Sequence, residues 1–327
     1  MHSMDWKLML CLLVAAPALA QSAPASAPLA FDVASVRPSR ADGTQNSNVP
    51  LDAGYVYGSV NAGDTRNANG GSFRATRQAL WRYIVFAYKL SATQEMALRF
   101  SIYSGVPKSG APFWVTGSFD SSPEFFDISA RAPAETTLDQ MRVMMQTLLA
   151  ERFQLALHFV TADAPAFALV LSKPGVTGPN LQPHPAADAC APSATSAADP
   201  SAPRPATLPS VVGELPPVCG VIAHVPSADP GQHFGGRAVP LSLLATTMPT
   251  MTGLAAIPRP VVDETGLSGQ YDFTLHWIHD PSGDEATSDN IANFRDAIRK
   301  QLGLELKSTH TPMRVVMVDH VERPWEN

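Results

Sequence analysis

The sequence predicts an α+β fold made of two homologous units, each running helix, strand, strand, helix, strand, strand, with mixed or antiparallel sheets. Three observations predict it. Tyr271, Phe273, Leu275 and Trp277 alternate with Asp272, Thr274 and His276, the period of two that sends large apolar side chains to one face of a strand. Phe126, Ile128, Ala130 and Ala132 alternate in the same way with Asp127, Ser129 and Arg131. Around these two strands, further elements recur in one order, which argues for duplication.

Residues 1–20 read as a secretory signal peptide: Lys7, an apolar run Leu8–Ala16, and the small-x-small pattern Ala18-Leu19-Ala20. The run is shorter than the roughly 20 residues that span a bilayer, and no later stretch is long enough, so no transmembrane segment is expected in the mature chain. An Ala/Ser/Pro-rich leader occupies 21–30. The first unit is expected over 31–173, opening with a strand at Phe31–Pro38 that proline ends. A long Gly/Asn-rich loop follows, with a hairpin near Tyr55–Val60. Leu80, Tyr83, Ile84 and Ala87 predict a helix over Thr76–Tyr88. Thr137 and Gln140 fit a capping box, starting a second helix whose stripe runs from Leu138 through Met141, Met145, Leu148 and Leu149 to Phe153. Alternation then predicts two strands, Gln154–Val160 and Ala166–Ser172.

Residues 174–230 hold 13 of the chain's 30 prolines and both cysteines outside the leader, and read as an irregular linker. The second unit is expected over 231–327. Gly235–Val239 before Leu241–Met248 parallels Gly70–Ala75 before the first helix. Tyr271-Asp272-Phe273 parallels Phe126-Asp127-Ile128, and the helix Asp289–Gln301, stopped by Gly303, parallels Thr137–Phe153. Pro312–Asp319 parallels Pro165–Ser172, with Val315–Val318 apolar on both faces, the pattern of a strand covered on each side.

The 327-residue chain carries a net charge of -6, with 23 basic and 29 acidic residues and no basic block, which disfavours nucleic acid as a partner. If the leader is cleaved, Cys190 and Cys219 remain, and in an oxidising compartment a disulfide is the simplest reading of that pair. No His-Glu-x-x-His, P-loop, dinucleotide fingerprint, Cys-x-x-Cys or Gly-x-Ser-x-Gly motif is present, so no cofactor, no metal site and no catalytic residue is assigned. Four weaker patterns remain. Asp263-Glu264-Thr265-Gly266 reads as a turn. His276, His279 and Asp280 come nearest to a metal cluster, although positions three apart on a strand face opposite ways. Asp319-His320 would need a serine to form a triad. Asp127 and Asp272 occupy equivalent places, either as exposed strand residues or as a carboxylate pair across a pseudo-twofold axis.

Four stretches carry a family resemblance: Phe31–Pro38, Leu148–Leu155, Val262–Leu275 and Val318–Asn327. With them the chain resembles a soil-associated, acidobacterial-type family of exported bacterial proteins of unknown function. The resemblance implies an exported, periplasmic or extracellular protein. In some members the domain is joined to a membrane metallopeptidase of the antibiotic-sensor type, which favours a sensing or binding role. The expectation is a binding or interaction module whose partner is an envelope protein or polymer. The alternative is a hydrolase acting on an envelope or soil polymer. Trp325 is the terminal side chain most suited to recognition.

Overall fold

A computed structural model describes residues 28–49, 51, 56–58, 69–100, 105–118, 121–186, 212–252, 257–278 and 286–324. Its first half contains β1 (Val33–Pro38), β2 (Asn46–Ser47), β3 (Val56–Gly58), β4 (Ser72–Ala79), α1 (Leu80–Tyr88), α2 (Ala92–Phe100), α3 (Phe113–Thr116), β5 (Phe125–Arg131), α4 (Leu138–Phe153) and β6 (Ala156–Leu171). Its second half contains β7 (Leu181–Pro183), β8 (Val221–His224), β9 (Gln232–Val239), α5 (Leu241–Met251), β10 (Val261–Asp263), β11 (Tyr271–Trp277), α6 (Ala286–Ala297), continued by a wide turn over Ile298–Leu302, and β12 (Leu304–His320). The fold is α+β and its strands pair antiparallel, except that β10 runs parallel to β6.

Two sheets carry the two main cores. One has the order β1-β5-β4-β2, the other β3-β8-β9-β11-β7. Alternation explains β5, where Phe126 and Ile128 are buried, and β11, where Tyr271, Phe273, Leu275 and Trp277 are buried. On the first sheet lie α1 and α4. The α4 start is the expected capping box, Thr137 Oγ1 accepting from the Gln140 N–H while the Gln140 side chain accepts from the Thr137 N–H. Its methionines Met141 and Met145 are fully buried in the core with Leu148, Leu149 and Phe153. On the second sheet lie α5 and the turn after α6, burying Leu244, Met248, Phe294, Ile298 and Leu302.

The two sheets share a register. In the first, Val36, Arg37 and Pro38 lie opposite Ile128, Asp127 and Phe126; in the second, Leu181, Gln182 and Pro183 lie opposite Phe273, Asp272 and Tyr271. Both sheets then break register at one place. The β4–β5 pairing jumps between Ala75 and Gln78, and the β9–β11 pairing between Gly236 and Val239. Inside each bulge one non-glycine residue takes a left-handed conformation, Arg77 with φ 51° and Ala238 with φ 50°.

Several expectations are corrected. The helix expected from Thr76 starts at Leu80, because Ser72–Ala79 is strand β4. Of residues 174–230, expected as an irregular linker, the described part includes β7 and β8, both paired into the second sheet. Val56–Gly58 pairs with β8, and the rest of the hairpin expected near Tyr55–Val60 lies outside the described residues. The two strands expected over Gln154–Val160 and Ala166–Ser172 are one strand, β6, continuous through Pro165. A hairpin would need a tight turn. Here every position from Ala156 to Leu171 lies opposite a residue of β12, so the chain stays extended.

The β6–β12 ribbon joins the two cores. At one end Leu155, Leu157, Phe159, Val316 and Val318 belong to the first core, and at the other Phe167, Leu169, Leu304 and Leu306 belong to the second. Between them Val315 and Met313 pack with Ala164 and Ala97 of α2. Both ribbon strands are entered through a left-handed residue that caps the preceding helical segment, Gln154 (φ 52°) and Gly303 (φ 71°).

Candidate ligand-binding cleft

The strand β11 buries its apolar residues inward, so Thr274 and His276 face outward by the same alternation. Beside them β9 presents His233. The chain over Val212–Leu215 and Val225–Asp229 crosses this outer face, and the space between is an open cleft of about 390 Å3, lined by Val212, Val225, Pro226, Ser227, Asp229, His233, Thr274 and His276 among others. That volume falls in the range of small-ligand sites. Gly235 explains how the covering segment comes so close: a Cβ there would lie 2.7 Å from Leu215 and 2.8 Å from Val225. The rim is apolar at Val212, which is 65% exposed, and Ile278, 61% exposed, follows the end of β11.

His233 and His276 lie directly opposite one another. The His276 N–H donates to Gln301 Oε1 at 3.1 Å and its carbonyl accepts from Gln301 Nε2 at 2.7 Å, while the His233 carbonyl accepts from the Val225 N–H at 2.9 Å. Both backbones therefore turn away from each other. This is a non-hydrogen-bonded pair, the kind that brings side chains closest, with Cα atoms about 4.5 Å apart. The two imidazoles stack with centroids 5.5 Å apart and planes 8° from parallel. His233 Nε2 donates to the Asp229 carbonyl at 3.1 Å.

Beneath the cleft, Phe234 stacks on Trp277 at 5.6 Å and touches the His224 ring at 4.0 Å. Burial holds the His224 pKa below its ordinary value, opposed by a hydrogen bond with the His233 backbone. In the first core, Tyr83 donates to the Phe126 carbonyl at 2.9 Å, and burial, helped by the charge of Asp127, pushes its hydroxyl far above the usual range.

The residues singled out from sequence separate into different places. Asp127 and Asp272 sit in different sheets and form no pair. Each instead anchors its own bulge, Asp127 Oδ1 accepting from the Arg77 N–H and Asp272 Oδ1 from the Ala238 N–H, both at 2.8 Å. Ser39 adds a second donor to Asp127, as His184 does to Asp272. Asp263 makes the expected turn, accepting from the Thr265 N–H and hydroxyl at 3.0 and 2.7 Å. Asp319 pairs with His158 across the ribbon at 2.9 Å and His320 with Glu322 at 3.0 Å, so neither is held toward a serine. His276 reaches the cleft; His279, Asp280 and Trp325 lie outside the described residues. So does Cys190, while Cys219 lies just before β8. Among the described residues no three His, Cys, Asp or Glu side chains converge. Sequence reasoning missed His233. Once β9 is known to lie beside β11, its position across from His276 is the signal.

Residues 82–321 match the model of a family described as "Protein of unknown function (DUF3738)". The chain belongs to that family. The matched stretch runs from α1 through the end of β12 and takes in both walls of the cleft. No curated protein matches the chain, and no solved structure does. Within the described part of this DUF3738 protein, no helix is long and apolar enough to cross a membrane.

Proposed function

We propose that this DUF3738 protein is an exported binding module, periplasmic or extracellular, that takes an envelope polymer or a projecting segment of an envelope protein into the cleft between β9, β11 and the segment that roofs them. The cleft itself carries the reading. Its floor is the outer face of a five-stranded sheet, its walls are apolar at Val212, Val225 and Pro226, and Ser227, Asp229, His233, Thr274 and His276 add polar groups. Apolar walls combined with placed polar groups suit ligand recognition. Export rests on the Leu8–Ala20 leader pattern. A Cys190–Cys219 disulfide fits the same compartment, and it would tether the roof, since Cys219 lies between the Val212–Leu215 stretch and β8. The matching registers and bulges of the two sheets support an origin by duplication, with β1 and β7 as equivalent leading strands.

A hydrolase would need a nucleophile or an activated water beside an acid or base. Among the described cleft residues, Ser227 Oγ accepts from the Asp229 N–H at 3.1 Å and His233 Nε2 donates to the Asp229 carbonyl, so neither imidazole is bonded to the hydroxyl as a base would be. The test is titration of the exported protein with soluble peptidoglycan and polysaccharide fragments, followed by intrinsic fluorescence. A saturable change is expected, and Thr274→Trp, which fills the cleft from its outward face, should abolish it. Binding undiminished in that variant would move the site elsewhere, and turnover of a fragment would favour the hydrolase.

A further inference from the structure

We propose that His233 and His276 form a two-imidazole site for a divalent transition-metal ion of the Zn2+ or Cu2+ class at the mouth of the cleft. The inference rests on the cleft as a site but not on which polymer or protein fills it. Three features of the pair support it. The two residues are a non-hydrogen-bonded cross-strand pair, so their side chains leave the same face of the sheet at the closest spacing antiparallel strands allow. The hydrogen bond from His233 Nε2 to the Asp229 carbonyl puts the proton on Nε2 and leaves the Nδ1 lone pair available. Metal-binding histidines are held in just this manner, the second ring nitrogen donating to a carbonyl or carboxylate. His276 has an exposed side chain whose imidazole makes no hydrogen bond among the described residues, so it is free to turn from its stacked position toward a shared ion.

Imidazole nitrogen suits zinc, copper and nickel and does not suit magnesium or calcium. Zinc–nitrogen bonds are about 2.0–2.1 Å, so closing the chelate requires the His276 ring to rotate while the backbone, held by the Gln301 side chain, stays in place. Two protein donors leave coordination positions open. Water fills them in the free protein, and a carboxylate or hydroxyl of a bound ligand replaces that water. The ion would therefore be exchangeable and would link metal occupancy to ligand binding in the cleft.

The experiment is calorimetric titration of the exported chain, prepared without a polyhistidine tag and stripped with EDTA, using ZnCl2 and, separately, CuCl2 and MgCl2. One zinc or copper ion per chain and no magnesium binding is the expected result. His276→Gln and His233→Gln each remove a direct ligand and should weaken binding by at least the roughly 10–100-fold that loss of an outer-shell partner costs. His158→Gln, which changes another exposed histidine, should leave it unaltered. Far-ultraviolet circular dichroism and melting of each variant separate loss of the site from loss of the fold. No heat with either ion, or unchanged affinity in folded His276→Gln, would overturn the proposal. Fragment titrations repeated in EDTA keep the two readings apart: fragment binding without any metal binding would sink this proposal alone, whereas metal binding without fragment binding would sink only the ligand assignment.

Discussion

Asp272 accepts two hydrogen bonds through Oδ1, from the backbone N–H of Ala238 and from Nδ1–H of His184, each at 2.8 Å. The first satisfies an amide that the bulge has taken out of the ladder, at a residue whose left-handed backbone is strained for alanine. Asp272→Ala leaves both donors without their acceptor, and the His184 side chain is only 8% exposed. The expected loss is about 1–3 kcal/mol in urea unfolding. Asp272→Asn keeps an acceptor oxygen and should lose less. Asp127→Ala should behave in the same way in the first sheet, and near-wild-type stability of both alanine variants would mean that the bulges hold without their carboxylates.

Gly70 and Gly71 are neighbours with positive φ, 60° and 76°, but they differ in surroundings. A Cβ on Gly70 meets nothing within 4 Å, whereas one on Gly71 would lie 2.1 Å from the Ala132 carbonyl oxygen and 2.4 Å from that of Pro133. Gly70→Ala should therefore cost about 1–2 kcal/mol from backbone strain alone. Gly71→Ala must also displace backbone and should cost about 4 kcal/mol or more. Chemical denaturation of the two single variants tests the ordering.

Chains ending at Arg314 and at Val321 should differ sharply. Val315 and Val316 are fully buried, and Val316 and Val318 belong to the first core, not to the second half of the chain in which they are encoded. Each valine contributes about 1.5–3 kcal/mol when buried. Ending at Arg314 should destabilise the first core, read by loss of the near-ultraviolet signal of its aromatic residues. Ending at Val321 removes Arg323, whose guanidinium pairs with Glu124 at 2.6–3.0 Å on the surface, and should shift melting little.

His224 gives the protein a direction of acid sensitivity. Its folded pKa lies below the ordinary 6.5, chiefly through burial, so the unfolded chain takes up its proton first as pH falls. The stability tied to the neutral ring is complete above that ordinary value and is lost as pH falls through the lower folded value. Melting temperature should hold above about pH 6.5, the ordinary histidine value, and drop as pH falls below it. His224→Phe, which keeps a ring against Phe234, should show a smaller drop.

The Cys190–Cys219 bridge would close a loop of 28 intervening residues. The expected gain is about 3 kcal/mol on chain entropy, and less if the loop is already loose. Alkylation and mass spectrometry of the protein without reductant should find neither thiol, and two alkylated cysteines would exclude the bridge. Reduction should weaken cleft binding more than it lowers the melting of the first core, because Cys219 sits in the roof.

Sequence patterns made the local elements legible and left the assembly hidden. Thr137 and Gln140 announced a helix start because a cap involves residues three apart. Tyr271–Trp277 announced a strand because burial there follows a period of two. The period of two misses β4 and β9 because each carries a bulge, at Arg77 or Ala238, that breaks it before the strand ends. β7 is three residues set among prolines and pairs with β11 some ninety residues later, as Leu181 opposite Phe273 shows. Of the cleft, His276 was read as part of a local cluster, while its real neighbour, His233, comes from a strand that only the sheet brings alongside.

The β6–β12 ribbon has a consequence for how the protein is made. His158 and Asp319, which meet across it, are 161 residues apart in the chain. During synthesis the first half emerges with an extended arm and a core still lacking Val316 and Val318, and it waits until β12 has been made. Pairing over such separations pays its loop-closure entropy before any contact forms, which makes it slow. A chaperone has that interval in which to act. Two chains folding side by side share a hazard, since the waiting β6 arm of one is a template for the late β12 of the other.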